Sequence, residues 1–528
     1  MVTRDEVEAW IDDDVDPDDA AELRRLLDAG AEDELAERFR GPLTFGTAGL
    51  RGPLRAGPNG MNRTVVRRAA AGLAAWLTEH GHQGQPVVVG FDARHGSAAF
   101  ARDSAEIFAA AGFDARLMPE PLPTPVTAFA VQHFAAAAGV VVTASHNPPQ
   151  DNGYKVYAED GAQIVPPADS EIEAAIRVVG SARAIPLSSD GVTVLDDEIV
   201  SDYVAAVAGL VGPGPRALTI VHTAMHGVGT AVARRVFTAA GFEPFDPVAE
   251  QEKPDPDFPT VTFPNPEEPG ALDLSFALAS SRQADLVIAN DPDADRCAVA
   301  VPSADGSWRM LRGDEVGVLL ADALMRKGAR GTYATTIVSS ALLGALAEAR
   351  EVGYAETLTG FKWISRAAPD LVYGYEEALG YCVAPSLVRD KDGISAALLV
   401  AELAAGLKAA RMTLLDRLDE FAAEFGRYAT DQVSLRVEDL SEIESLMSEL
   451  RAHPPTLLVG EAVEFEDLLP AADAVRLRIP GARVVVRPSG TEPKLKAYLE
   501  VVEPTGSADK AAARLAALRD DVSNLLGA

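Results

Sequence analysis

Residues Ala137–Pro148 read AAGVVVTASHNP, an apolar run closed by a polar loop. A short apolar run of this kind predicts a strand buried on both faces, the type found in parallel sheets. Loops at the carboxyl ends of such strands line the ligand crevice of an open α/β sheet, so Ser145, with His146 beside it, stands where a hydroxyl nucleophile would face a substrate. Taken alone, TASHNP at Thr143–Pro148 is more economically a Ser/Asn/Pro turn. Three distant segments change that balance: DPDADR at Asp291–Arg296, GYEEALG at Gly374–Gly380 and RPSGTEPK at Arg487–Lys494.

The pattern extends outward in both directions. FGTAGLRG, Phe45–Gly52, is a glycine-rich segment followed by a helical stretch at Val65–Thr78, an apolar strand at Pro86–Asp92 and a helix from Ser97. A second round gives a strand at Ala217–Val221, a helix at Thr230–Ala240 and a strand at Asp285–Asn290 that ends at DPDADR. A third gives a helix at Glu315–Met325 and strands at Tyr333–Val338 and Leu371–Tyr375, the last ending at GYEEALG. Such alternation implies βαβ units. From about residue 425 the texture changes: Val475, Leu477 and Ile479 alternate with Arg476 and Arg478, predicting a half-exposed strand, Lys494–Glu500 alternates likewise, and a helix from about Ala508 closes the chain. The fold class is therefore α/β, with three successive α/β domains of mixed, largely parallel sheets (1–205, 206–308 and 309–425) and a smaller C-terminal α+β domain (426–528). A length of 528 residues fits about three or four domains.

Charge narrows the partners. With 47 Lys+Arg against 79 Asp+Glu, the formal charge of -32 argues against nucleic acid and anionic membrane surfaces, though not against a small anion in a locally cationic cleft. Candidates to line such a cleft are Arg51, Lys155, Arg296, Lys362, Arg389, Lys391, Arg487 and Lys494. No apolar run approaches the ~18 residues of a membrane span, and the acidic start MVTRDEVEAWIDDD lacks the basic and apolar regions of a leader. Two cysteines, Cys297 and Cys382, are too few for a disulfide framework. A cytoplasmic location is expected.

Each loop suggests a chemistry. Asp291, Asp293 and Asp295 alternate, so an extended loop would converge three carboxylates on one hard cation, for which Mg²⁺ is suited. An EF-hand would need Gly and Glu where Arg296 and Pro302 stand. A metal near a serine points to phosphoryl transfer. No G-x-S-x-G elbow surrounds Ser145, so a Ser-His-Asp hydrolase is not indicated and His146 is expected to orient the loop. Lys155, in DNGYKVY, is the better proton-transfer candidate if neighbouring cations lower its pKa. Arg487, Ser489, Gly490 and Thr491 have the makings of a phosphate cradle, and Glu376 and Glu377 would accept from sugar hydroxyls. HGVG at His226–Gly229 weakly resembles a dinucleotide loop, but Val232 occupies the third glycine position and NAD is discounted.

The four segments, in this order and across nearly the whole chain, resemble the α-D-phosphohexomutase superfamily, which includes phosphoglucomutases and phosphomannomutases. The resemblance implies four domains around one central cleft, Ser145 as the phosphoryl carrier, and Asp291, Asp293 and Asp295 as Mg²⁺ ligands completed by the phosphoserine at Ser145. It also implies a sugar contact from Glu376, a phosphate loop at Arg487, Ser489, Gly490 and Thr491, and Arg51 and Lys155 near the transferred phosphate. Lys391, in VRDKDG, matches another acid or base of some members, and Gly360 and Lys362 lie in a further substrate loop, TLTGFKW. Ala378 stands where many members have serine, Tyr381 where some have histidine, and TLTGFKW lacks a histidine of bacterial members. GYEEALGY and VRDKDGIS resemble a branch that includes phosphopentomutases.

The implied activity is interconversion of hexose 1-phosphate and hexose 6-phosphate, glucose or mannose, with Mg²⁺ and a sugar bisphosphate activator such as glucose 1,6-bisphosphate, in a monomer or homodimer. Alternatives are a phosphopentomutase acting on ribose or deoxyribose phosphates, a non-catalytic phosphosugar-binding protein, and a phosphatase.

Overall fold

The computed structural model describes residues 2–46, 49–437, 440–489 and 494–527. They form two compact units, Met1–Leu311 with Gly380–Gly406, and Arg312–Leu379 with Leu407–Ala528. Among the described residues no single helix is long and apolar enough to cross a membrane.

The first unit holds two sheets. In the six-stranded sheet the order is Leu50–Pro53, Asp151–Ala158, Ala138–Val142, Pro86–Phe91, Asp114–Leu117 and Val192–Val194. The last four strands run parallel, while Asp151–Ala158 lies antiparallel to Ala138–Val142. The strand predicted from the opening apolar run is buried at every position. The helices Arg63–Glu79 and Ser97–Ala110 fall where predicted, the first capped by Asn62, whose side chain accepts from the Val65 amide. Gly49 shows why FGTAGLRG needs glycine: it has φ +78, and a Cβ there would lie 1.8 Å from the Tyr154 carbonyl oxygen. Thr47 and Ala48 of this segment lie outside the described residues.

The five-stranded sheet has the order Trp308–Met310, Ala298–Pro302, Leu286–Ala289, Ile220–Thr223, Asp246–Pro247. Its first predicted strand begins later than Ala217, at Ile220, because the Thr219 amide donates to the Asp285 side chain instead of joining the ladder. Cys297 and Cys382 are both buried and free, as expected of small packing residues.

The second unit contains the parallel strands Gly353–Thr357, Thr332–Thr336 and Leu371–Glu376, with Thr332–Thr336 central. It also contains an antiparallel sheet in the order Arg427–Arg436, Lys494–Glu503, Ala482–Pro488, Val475–Ile479, Glu464–Asp467. That sheet packs one face on the helices Leu440–Ala452 and Ala508–Leu526 through Val475, Leu477, Val484, Leu518 and Val522, among others. The predicted half-exposed strand is corrected at Arg476, which is buried: its guanidinium donates to Glu356 at 2.9 Å, so charge pairing covers the face the alternation assigned to water.

The helices Gly313–Arg326 and Leu414–Phe425 of this unit are joined by the Arg417 guanidinium, which donates to both oxygens of buried Asp322 at 2.8 and 2.9 Å and lies over the Phe421 ring. Because removing one partner of a buried pair strands the other, Arg417→Ala should lower unfolding free energy by about 3 kcal/mol. Chemical denaturation followed by circular dichroism measures it, and an unchanged midpoint would show that the pair contributes nothing.

Candidate active site

Thr143 ends the opening strand by turning its hydroxyl back to accept from the Ser145 amide at 2.9 Å. Ser145 takes a left-handed conformation, φ +53, that non-glycine residues adopt rarely. The turn leaves its Oγ within the protein, donating to Asp291 Oδ2 at 2.9 Å and 3.2 Å from His146 Nδ1. Arg51 reaches the same loop, donating to Asn147 Oδ1 at 3.2 Å.

DPDADR follows the strand Leu286–Ala289 as a tight turn, not the extended loop expected from its alternation. Ala294 has φ +56, its amide donates to the Asp291 carbonyl, and the Arg296 amide donates to Asp291 Oδ1 at 3.0 Å. The curl brings ligand oxygens of Asp291, Asp293 and Asp295 within 4.8 Å of one another, all buried. Asp293 Oδ2 accepts from Thr124 Oγ1 at 2.7 Å and from Lys155 Nζ at 2.8 Å, and Asp295 Oδ2 accepts from Lys155 at 3.0 Å and pairs with Lys391 at 3.2 Å. The other oxygen of each, Oδ1, is buried without a hydrogen-bond partner among the described residues. Two orphaned carboxylate oxygens beside a third carboxylate fit an oxygen-liganded divalent cation.

Electrostatics follows from this packing. Burial, then repulsion by Asp293 and Asp295, pushes the Asp291 carboxyl well above the usual range. Burial would raise Asp295 too, but Lys155, Lys391 and Arg296 outweigh it and hold Asp295 down. Burial with Arg296 and Arg51 nearby pushes His146 well below its ordinary value, so its imidazole is neutral. Lys155 departs from expectation. Burial lowers it, but Asp293 and Asp295 more than compensate and its pKa is raised, because its nearest partners are carboxylates and not cations.

Lys391 owes its place to its neighbours. Asp390 accepts from Tyr157 OH and Gln163 Nε2, both at 2.8 Å, and Asp392 accepts from Tyr203 OH at 2.8 Å and caps the helix Gly393–Ala409 through the Ile394 and Ser395 amides. The first unit thus gathers Ser145, His146, Arg51, Lys155, Lys391, Arg296 and the three aspartates, an island rich in cations within an acidic chain.

The second unit carries the other predicted residues. Glu376 ends the strand Leu371–Glu376, half-buried. Glu377, half-buried like Glu376, accepts through Oε2 from Ser339 Oγ at 2.9 Å and Thr336 Oγ1 at 3.3 Å. Gly360, φ +105, precedes the short helix Phe361–Ile364, on which Lys362 is buried against Trp363. Arg487 lies at the end of the strand Ala482–Pro488, and the Ser489 amide donates to the Lys494 carbonyl at 2.8 Å. Gly490 and Thr491 lie outside the described residues.

Several supports carry no motif in the sequence. Arg94 and Thr124 hold the serine and metal loops, and the local signal is that each stands just beyond a strand end or at a helix start. HGVG, discounted as a dinucleotide loop, has a structural use. Val228 donates to the Pro292 carbonyl, and a Cβ on Gly227 would lie 2.3 Å from Pro292 Cα, so this glycine lets the chain press against the metal loop.

Family models described as phosphoglucomutase/phosphomannomutase alpha/beta/alpha domains I, II and III match residues 42–182, 201–305 and 312–425, and the model of the C-terminal domain matches 435–518. A Haemophilus influenzae protein named "Probable phosphomannomutase" is 49% identical over 454 residues, 84% of this chain and 93% of its own length. A Mus musculus phosphopentomutase is 34% identical over 567 aligned positions, 96% of this chain and 91% of its own. The crystal structure of a Thermus thermophilus protein assigned as a phosphomannomutase has a TM-score of 0.75 and 28% identity, covering 92% of this chain and all of that one.

Gly227→Ala should therefore push Pro292 and weaken binding of a divalent cation at the triad by about tenfold or more, as loss of a supporting contact around metal ligands does. Isothermal titration with Mg²⁺ reads it directly. Equal affinity in the variant would mean that the loop holds its shape without that contact.

Proposed function

The chain belongs to the phosphoglucomutase/phosphomannomutase family and is an intramolecular phosphotransferase of that type; from that premise we propose that it interconverts hexose 1-phosphates and hexose 6-phosphates through a phosphorylated Ser145. The observation that carries this reading is the Ser145 hydroxyl 2.9 Å from Asp291, at the rim of three buried carboxylates and beside a cluster of cations. A lone hydroxyl there has no general-base triad, but a phosphoserine would meet both a cation site and guanidinium and ammonium groups.

In the forward half-reaction a sugar hydroxyl oxygen attacks the phosphorus on Ser145, the P–Oγ bond breaks, and a sugar bisphosphate forms while Ser145 recovers its proton. The bisphosphate then presents its other phosphate, Oγ attacks that phosphorus, and the isomeric monophosphate leaves. Arg51 and Arg296 stabilise the charge on the phosphoryl oxygens. Lys155, held as an ammonium by Asp293 and Asp295, supplies in each half-reaction a proton to the departing oxygen and takes up the proton released by the attacking hydroxyl. Asp291, Asp293 and Asp295 would hold Mg²⁺, with the phosphoserine as a further ligand, and the ion would supply Lewis-acid neutralisation of the phosphoryl oxygens. A sugar bisphosphate such as glucose 1,6-bisphosphate would load Ser145. Water must be kept out, because phosphoryl transfer to water would empty the serine.

A second reading is a phosphopentomutase. It is favoured by the loop at Ala378, which offers no hydroxyl to a hexose ring, and by the likeness to the mouse phosphopentomutase. Both readings use the same serine chemistry.

The deciding measurement is kcat/KM for glucose 1-phosphate, mannose 1-phosphate and ribose 1-phosphate with Mg²⁺ and the matching bisphosphate. A hexose preference of about tenfold or more, equivalent to about 1.4 kcal/mol at the transition state, is expected. Ser145→Ala should lower kcat by roughly 10⁴-fold or more while leaving thermal stability unchanged. Mutase activity retained in Ser145→Ala would end the mechanism. Chelation by EDTA should silence the wild type reversibly, with Mg²⁺ restoring turnover; activity that survives exhaustive chelation would remove the metal from the reaction.

A further inference from the structure

The loop that carries Ser145 is gripped from its backbone side by one residue outside every motif. Arg94 follows the strand Pro86–Phe91 and is buried. Its Nη2 donates to the carbonyls of Ser145, at 2.7 Å, and Asn147, while Nη1 donates to those of Pro148, at 2.8 Å, and Asp151, at 3.2 Å. Its Nε lies 3.3 Å from Asp92 Oδ2, and Asp92 Oδ1 accepts from both the Arg94 amide and Ser97 Oγ. The guanidinium also lies over the Phe258 ring, 4.9 Å from its centroid.

We propose that Arg94 is a positioning residue for phosphoryl transfer: by clamping four carbonyls in and just after the Ser145 loop it holds the serine in its left-handed conformation and directs the phosphoryl group to a sugar hydroxyl instead of water. Ser145 keeps φ +53 without being glycine, a conformation that persists only where the surroundings over-determine it. Three carbonyls of the loop and one at the start of the strand Asp151–Ala158, converging on a planar fork, supply that constraint, and an ammonium in place of the guanidinium would lose the fork's geometry. These four hydrogen bonds go to the backbone and not to Oγ, so the action of Arg94 is on placement. A loop free to relax would let a water oxygen attack the phosphorus, break the P–Oγ bond and release inorganic phosphate with the Ser145 hydroxyl restored. The inference rests on the mutase reading above.

The test compares full-length wild type, Arg94→Lys and Phe258→Leu, each loaded with glucose 1,6-bisphosphate. It measures kcat and KM for the preferred sugar 1-phosphate, inorganic phosphate released per isomerisation, and amide hydrogen exchange over residues 144–147. For folded Arg94→Lys we expect kcat down by about tenfold or more, KM within about threefold, phosphate release per turnover up by about tenfold, and faster exchange in the loop. Phe258→Leu, which leaves the guanidinium in place, should move the same quantities in the same direction by about two- to fivefold. Folded Arg94→Lys with wild-type kcat and partitioning overturns the proposal, as does a loss of activity that tracks only the unfolded fraction. If Arg94→Lys does not fold, Phe258→Leu decides: the shift supports the clamp and wild-type partitioning overturns it. A wild type that isomerises no sugar phosphate defeats the mutase reading instead, and loop exchange then decides, with unchanged protection in Arg94→Lys overturning the clamp.

Discussion

Three carboxylates packed within 4.8 Å of one another in a buried turn are the constraint around which the first unit is organised. Left alone they would repel and raise one another's pKa, as burial and its neighbours do at Asp291. The surrounding chain answers with cations from separate stretches of sequence: Lys155 from a strand, Lys391 from a loop pinned by two tyrosines, and Arg296 from the turn itself. The orphaned oxygens of Asp293 and Asp295 mark what those cations leave unsatisfied. Ser145 is joined to this cluster by its hydrogen bond to Asp291.

The sequence made the scaffold legible because the scaffold rests on periodicity. The strands Ala138–Val142, Leu286–Ala289 and Leu371–Glu376 each fall at an apolar run, and each ends at a polar motif, because parallel strands buried on both faces leave chemistry to the loops beyond them. The motifs named the serine, the aspartates and both lysines. They did not give the geometry of their support. Arg94, Thr124 and the HGVG loop act through partners more than fifty residues away or through backbone carbonyls, and neither kind of contact leaves a local pattern.

Where the reading of single residues failed, it failed on sign. Lys155 was expected among cations and therefore lowered, but the turn delivers two carboxylates to its ammonium and raises it. Arg476 was assigned to water by alternation, yet Glu356 takes it into the protein. In both cases the pattern specifies where the side chain points, and only the tertiary partner specifies what it meets. Glu377 adds a contact no motif signals: two adjacent glutamates look equivalent in sequence, but Oε2 of one accepts from Ser339 and Thr336.

The residues singled out from the sequence divide between the two units. The serine, the carboxylate cluster and the cations that balance it all belong to the first unit, whereas Glu376, Ala378, Lys362 and Arg487 belong to the second. Within GYEEALG, Glu377 Oε2 is engaged by Ser339 and Thr336, and Ala378 carries no side-chain donor. Hydrogen-bonded pockets discriminate by the groups they leave unpaired, and an alanine leaves none. Relatives named phosphomannomutase and phosphopentomutase both resemble this chain across most of its length.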